Sequence, residues 1–227
     1  MEQKTVAVIS GGMDSITMLH DLNAQGHQLK AISFNYGQRH SKELLLASEN
    51  AKLLGITHKI VDMLFMKELV SNSSLTGDID VPEGHYADEN MKLTVVPNRN
   101  MIMASLAIGY AVNEDFNGIA MGIHSGDHAI YPDCRPEFHS ALRTASLIAN
   151  YEPVEVYAPY LYADKTEIIK QGLKVGVDYA KTWTCYKGGN VACGVCGSCQ
   201  ERLEAFKNNN MEDPLDYATR ELQPANN

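Results

Sequence analysis

At 227 residues the chain can bury one sizeable core with a small appendage, and it is too short for two ordinary enzymatic domains. A hydrophobic share of 44% is ordinary for a soluble globular protein, and a formal net charge of −9 argues against a protein whose main work is gripping a nucleic-acid backbone. No apolar run approaches the ~20 residues of a membrane span, and Glu2 and Lys4 lead straight into a first strand without a leader segment, so a cytoplasmic location is expected.

Thr5–Ile9 reads as a parallel strand, apolar throughout as a doubly covered strand should be. Ser10-Gly11-Gly12-Met13-Asp14-Ser15 follows, and a helical pattern runs over Asp14–Asn23 until Gly26. Strand, glycine turn and helix together cradle a phosphate: adjacent glycines allow close approach, and the first amides of the helix point at an anion. Ser10 and Ser15 add hydroxyl donors. Asp14 suits Mg²⁺ carried by a nucleotide, or it caps the helix. Neither G-x-G-x-x-G nor G-x-x-x-x-G-K-[ST] is present. The run resembles the PP-loop, S-G-G-x-D-S, of the ATP pyrophosphatase superfamily, which implies ATP held by its pyrophosphate end and AMP transfer to a substrate oxygen.

Leu29–Phe34 reads as a second strand, ending in the loop Asn35-Tyr36-Gly37-Gln38-Arg39-His40. Arg39 is a candidate for charge work there, or a solvent-facing arginine. Ser41–Leu54 is a helix in which Glu43, Leu44, Ala47, Ala51 and Leu54 fit the 3.6 period, with Gly55 ending it. Ile56–Val61 returns to strand, and residues 62–91 read as irregular. Met101–Val112 is a helix apolar nearly all round, expected to be buried, with Asn98 as its cap and Arg99 in its first turn. A cation at a helix start opposes the macrodipole, so Arg99 needs an anionic ligand or a nearby carboxylate.

Gly118–Gly122 is a fourth strand, followed by a polar segment containing His124, Asp127 and the run Tyr131-Pro132-Asp133-Cys134-Arg135. Pro136–Asn150 reads as a helix and Val154–Pro159 as the last strand. Asp164-Lys165-Thr166-Glu167 is a capping-box pattern opening a helix to Leu173, with Lys165 either solvated or functional. The alternation predicts an α/β fold, a doubly wound and mostly parallel sheet over residues 1–180. Residues 181–227 are expected to form a helical extension, with a short helix over Gln200–Phe206 and a weakly structured final stretch.

Cys185 with Cys193-x-x-Cys196-x-x-Cys199 is the strongest metal signal. Four thiolates suit a closed, structural Zn²⁺ site. The fourth cysteine of an iron–sulfur run, at x₃-C-P, is missing. Cys134 stands apart, as a reactive, structural or substrate-contacting thiol.

Taken together, the phosphate loop, Phe34-Asn-Tyr-Gly-Gln38, Pro97-Asn-Arg-Asn100, Tyr131–Arg135 and the four late cysteines resemble the 7-cyano-7-deazaguanine synthase family over essentially the whole chain. The resemblance implies an ATP-dependent ligase that converts 7-carboxy-7-deazaguanine and ammonia to the nitrile, with structural zinc, Mg²⁺ accompanying ATP, a homodimer, and no stable nucleic-acid partner. Asp14, Arg39 and Arg99 become catalytic candidates. Ser10, Gly11, Gly12, Asp14 and Ser15 would hold the nucleotide, and Asp127, Tyr131, Asp133 and Arg135 the deazaguanine. Ala129-Ile130 stands where the family commonly has Ser-Gly, which leaves open an amide as the final product. A tRNA thiolase of the same superfamily is the competing reading, disfavoured by the negative charge.

Overall fold

The computed structural model describes residues 3–38 and 41–224. Among these residues, β1 (Lys4–Val8), β2 (Gln28–Asn35), β3 (Thr57–Asp62), β4 (Gly118–Ala120) and β5 (Glu155–Tyr157) form one sheet. Its order is β3-β2-β1-β4-β5, and every pairing is parallel. The helices are α1 (Met13–Ala24), α2 (Ser41–Leu53), a single turn α3 (Met66–Leu69), α4 (Arg99–Asn113), α5 (Pro136–Ile148), α6 (Lys165–Lys174) and α7 (Gly197–Asn208).

Side chains along a strand alternate between faces, and this divides the core in two. Val6, Ile32 and Phe34 pack with Ala104, Ala107, Ile108 and Ala111 of α4 and Leu142 of α5. Ala7, Ile9 and Ala31 pack on the other face with α1, with Ala47 and Ala51 of α2, and with Ile168 and Ile169 of α6. Chain direction from β1 goes one way to β2 and the other way to β4. That reversal opens a crevice at the carboxyl ends of β1 and β4, the place where such sheets take ligands.

The expected parallel α/β sheet is present, and the elements fall within a few residues of their expected bounds. Three local expectations need correction. Helix α4 is not buried all round: Leu106 and Val112 are exposed on its outer side. Asn98 occupies the cap position with φ 58° and makes no side-chain cap bond. The carboxylate of Asp133 does that work instead, its Oδ2 accepting from the Asn100 N–H at 3.1 Å. The final stretch is also well held. Ala192 donates to the Asp216 carbonyl, and Gln200 donates to the Glu221 carbonyl and accepts from the Gln223 N–H.

Arg202 explains how that stretch is anchored. Its guanidinium is fully buried and meets both carboxylate oxygens of Asp213, at 2.6 and 2.9 Å. The remaining donors reach the Thr182 and Thr184 hydroxyls and the Tyr179 carbonyl. Four residues further along α7, Phe206 packs edge-on against Tyr179 in the α1–α6 side of the core. Breaking a buried ion pair from one side strands the other charge and costs about 3–5 kcal/mol. Arg202→Met is therefore expected to lower unfolding stability by about that amount in a denaturant titration, with cooperative unfolding retained.

Candidate active site

The phosphate-loop residues lie where β1 ends. Gly12 is the N-cap of α1, and no side chain caps that helix. Its first amides are left to a ligand. The loop is held by its own hydroxyls: Ser15 Oγ accepts from the Ser10 N–H and donates to the Gly12 carbonyl, both at 3.1 Å, and Ser10 Oγ accepts from the Gly12 N–H at 3.2 Å. The Trp183 N–H donates to the Gly11 carbonyl at 3.0 Å, so the chain before Cys185 closes over the loop.

Segments from both sides of the reversal complete one cavity with this loop. After β4 come His124 and Asp127, joined by Lys165 of α6 and Glu201 of α7. After β2 come Tyr36 and Glu43, joined by Arg99, Asn100 and Cys134. Trp183, Thr184 and Tyr186 cover the space between them.

The β4 side is a charge network. Lys165 Nζ lies 2.6 Å from Glu201 Oε2 and 3.4 Å from Asp14 Oδ2. Burial alone would push its proton off, but Asp14, Glu201 and Asp127 outweigh it and hold the ammonium charged. His124 Nδ1 accepts from the Gly126 N–H, so the ring hydrogen sits on Nε2. That atom lies 3.4 Å from Asp127 Oδ2 and 3.8 Å from Asp14 Oδ2. Asp14 Oδ1 is buried and takes no hydrogen bond among the described residues.

The β2 side is cationic and otherwise neutral. Burial works against the charge of Arg99, but Tyr36, Asp133, Cys134 and Tyr186 outweigh it and hold its pKa above the usual arginine range. Burial, then the charges of Asp127 and Asp133, push the Cys134 thiol far up, so it stays protonated. A thiol in that state is a poor nucleophile. Burial also raises Glu43, to about 8, against the pull of Arg99.

Of the residues singled out in the sequence, Ser10, Gly12, Asp14, Ser15, Arg99 and Asp127 line this cavity. Gly11 supports it from behind, and Arg39 lies outside the described residues. Tyr131, Asp133 and Arg135 do not line it. Tyr131 meets Thr94 and Tyr186 through its hydroxyl and borders a small adjoining pocket shared with Asp127 and Glu201. Asp133 caps α4, and Arg135 donates to the carbonyls of His128 and Ala129. Glu43 and Glu201 carried no motif of their own in the sequence. They read as ordinary helix positions, and only the packing of α2 and α7 brings them to the cavity.

Cys185, Cys193, Cys196 and Cys199 bring their sulfurs within 4.8 Å of one another, a set that can hold a metal ion. Cys193 Sγ and Cys199 Sγ are 3.9 Å apart. Tetrahedral bonds of ~2.3 Å place sulfurs ~3.8 Å apart. Hydrogen bonds from Cys185, Cys196 and Cys199 hold Cys193 well below the ordinary thiol range. Backbone N–H groups of Cys193, Val195 and Cys196 also point at sulfur, which favours thiolate. Cys196 is the N-cap of α7 and Cys199 lies in its first turn, so Glu201 follows the last cysteine by two residues.

The family described as Queuosine biosynthesis protein QueC matches residues 4–210. The chain belongs to the QueC family. It is 58% identical over 217 residues to the 7-cyano-7-deazaguanine synthase of Pseudoalteromonas atlantica, covering 96% of this chain and 100% of that one. The synthase of Hahella chejuensis is 59% identical over 214 residues, covering 94% and 93%. The 7-cyano-7-deazaguanine synthase 1 of Colwellia psychrerythraea is 56% identical over 217 residues, covering 96% and 100%. Among the described residues, no helix is long and apolar enough to cross a membrane.

Gly11 is where the phosphate loop tolerates least. It has φ +92°, and an added Cβ would lie 2.0 Å from the Glu43 carbonyl oxygen. The oxygen it meets belongs to the backbone, so no side chain can yield. Gly11→Ala is expected to destabilise by about 2–5 kcal/mol, from left-handed strain and overpacking together. A urea titration measures that loss, and an accompanying rise in KM for ATP would report the displaced loop.

Proposed function

We propose that this protein is an ATP-dependent carbon–nitrogen ligase that makes 7-cyano-7-deazaguanine from 7-carboxy-7-deazaguanine and ammonia. The observation that carries the reading is the uncapped start of α1, set at the reversal of the sheet in a QueC-family chain.

A carboxylate is a poor electrophile because oxide cannot leave. Attack of its oxygen on the α-phosphorus of ATP gives a mixed anhydride and releases pyrophosphate. In our reading Ser10, Gly11, Gly12, Asp14 and Ser15 hold the phosphates. The free oxygen of Asp14 suits Mg²⁺, which supplies charge neutralisation on the phosphates. Lys165 and Arg99 are preorganised cations for the charge that grows in that step, and Arg39 remains a candidate beside them. Ammonia then displaces AMP to give the amide. Loss of water from the amide requires its oxygen to be activated in the same way by a second ATP.

We assign the deazaguanine to the region where the cavity meets its small adjoining pocket, which Asp127 and Tyr131 border. Asp133 and Arg135 shape that wall through the start of α4 and the turn at 128–129. A second copy of the chain is a proposed partner, supported by the exposed Leu106 and Val112. We read residues 181–227 as an extension built onto the α/β domain of residues 1–180. Its four cysteines would hold structural Zn²⁺, since four thiolates leave no open position.

Two experiments test this reading. Supplied with synthetic 7-amido-7-deazaguanine and ATP but no ammonium, the protein is expected to form the nitrile, detected by mass spectrometry. Accumulation of amide from the acid, with no conversion of the amide, would place the chain among amide-forming enzymes. Replacing Cys196 with alanine is expected to deplete zinc in elemental analysis and lower the melting temperature, because metal binding and folding of the extension are coupled. A full complement of zinc in that variant would contradict the assignment.

A further inference from the structure

We propose that Glu43 is the general base of nitrogen transfer, taking the proton that turns bound ammonium into ammonia. The proposal rests on the ligase reading above and names a catalytic residue for it.

The chemistry gives such a group a use. At neutral pH the nitrogen donor is mostly ammonium, which has no lone pair to offer an acyl carbon. A proton acceptor inside the cavity, close to the phosphate loop, lets the abundant ammonium ion serve as the donor. Glu43 sits there by construction. It lies in the first turn of α2, lines the cavity, and its carbonyl packs directly behind Gly11. The backbone that carries the carboxylate is thus keyed to the loop that holds the phosphates.

The other described cavity groups are committed elsewhere. Asp14 and Glu201 are ion-paired with Lys165, and Asp127 faces His124 Nε2. The His124 lone pair at Nδ1 is taken by the Gly126 N–H. Cys134, Tyr36 and Tyr186 are held protonated by burial. Arg99 and Lys165 stay charged. Among the described residues, Glu43 makes no ion pair within 4.0 Å, and it lines the same cavity as Arg99. The groups that act on it are Arg99 from α4, which draws its proton off, and Cys185 from the extension, which opposes that. Burial exceeds both, giving a proton affinity near the working pH, where a general base is most effective.

The step balances. Ammonium gives one proton to the Glu43 carboxylate, and the lone pair released on nitrogen adds to the acyl carbon of the mixed anhydride. The acyl C–O bond then breaks, its electron pair leaves with AMP, and the second surplus proton leaves with the phosphate. In the later stage the adenylated amide loses its C–O bond to AMP and its N–H proton together. The same carboxylate can accept that proton once solvent has restored it.

The test is a change of nucleophile in Glu43→Gln, which keeps shape and removes the acceptor. Hydroxylamine is largely unprotonated at neutral pH and traps the same adenylate as a hydroxamate without needing a base to free its lone pair. Hydroxamate formation from 7-carboxy-7-deazaguanine and ATP is expected to stay near the wild-type rate, which also shows that the variant folds. Amide formation from ammonium is expected to fall by about 10²–10⁴-fold, the usual range for loss of a general base. That deficit should shrink as pH rises and free ammonia appears, and Glu43→Asp should recover part of it. An equal loss with both nucleophiles, or an unchanged rate with ammonium, overturns the proposal. Wild-type protein that forms neither product refutes the ligase reading itself, and the proposal with it.

Discussion

A lysine withdrawn from water keeps its proton only if carboxylates meet it, and Lys165 is 6% exposed. Asp14 and Glu201 meet that need, and they come from opposite ends of the chain. Asp14 belongs to the phosphate loop, Lys165 to the start of α6, and Glu201 to the helix that begins at the cysteine cluster. The capping box of Asp164 and Glu167 places Lys165 on the first turn of α6, where its side chain can reach both. Removing Lys165 leaves two carboxylates facing the cavity without their shared cation. The network therefore ties the cysteine-bearing extension to the glycine loop that follows β1, at the other end of the chain.

The next residue on α7 makes the same connection in a different way. Glu201 points its carboxylate into the cavity, while Arg202 is buried against Asp213, Thr182 and Tyr179. One helix turn thus serves the site and the anchoring of the final stretch. A metal at the four cysteines would order the start of this helix, which also carries Glu201. The cavity itself is divided by charge. Its β4 side is an ionic network of Lys165 with Asp14, Asp127 and Glu201. Its β2 side holds neutral tyrosines and a neutral thiol around Arg99 and Glu43.

Much of this was legible from local patterns. The phosphate loop is a contiguous run at a strand end, so its glycines and hydroxyls declare themselves without tertiary information. The four cysteines do the same, because metal-ligand spacing is short. Asp164 and Glu167 form the capping box that their spacing of three announced. Other features misled for a physical reason. Asn98 has the right residue type for a cap, but its backbone is left-handed, and Asp133 reaches in from a distant turn to bond the α4 amide. The final stretch has no periodicity, and its order comes from long-range bonds to Arg202, Gln200 and Ala192.

The sequence by itself determined the parallel α/β architecture, the anion-binding loop, the thiol cluster and the family resemblance, because each is written in neighbouring residues or in a short period. Tertiary structure alone decided which charges face each other. Glu43 and Glu201 are ordinary helical glutamates until α2 packs behind Gly11 and α7 packs beside α6. Asp133 bonds the start of α4 and Arg135 the carbonyls of its own turn, contacts that no local pattern announces. Burial and pairing depend on elements far apart in the chain, and these set the protonation state of a group. The chemistry of the cavity is therefore a property of the fold.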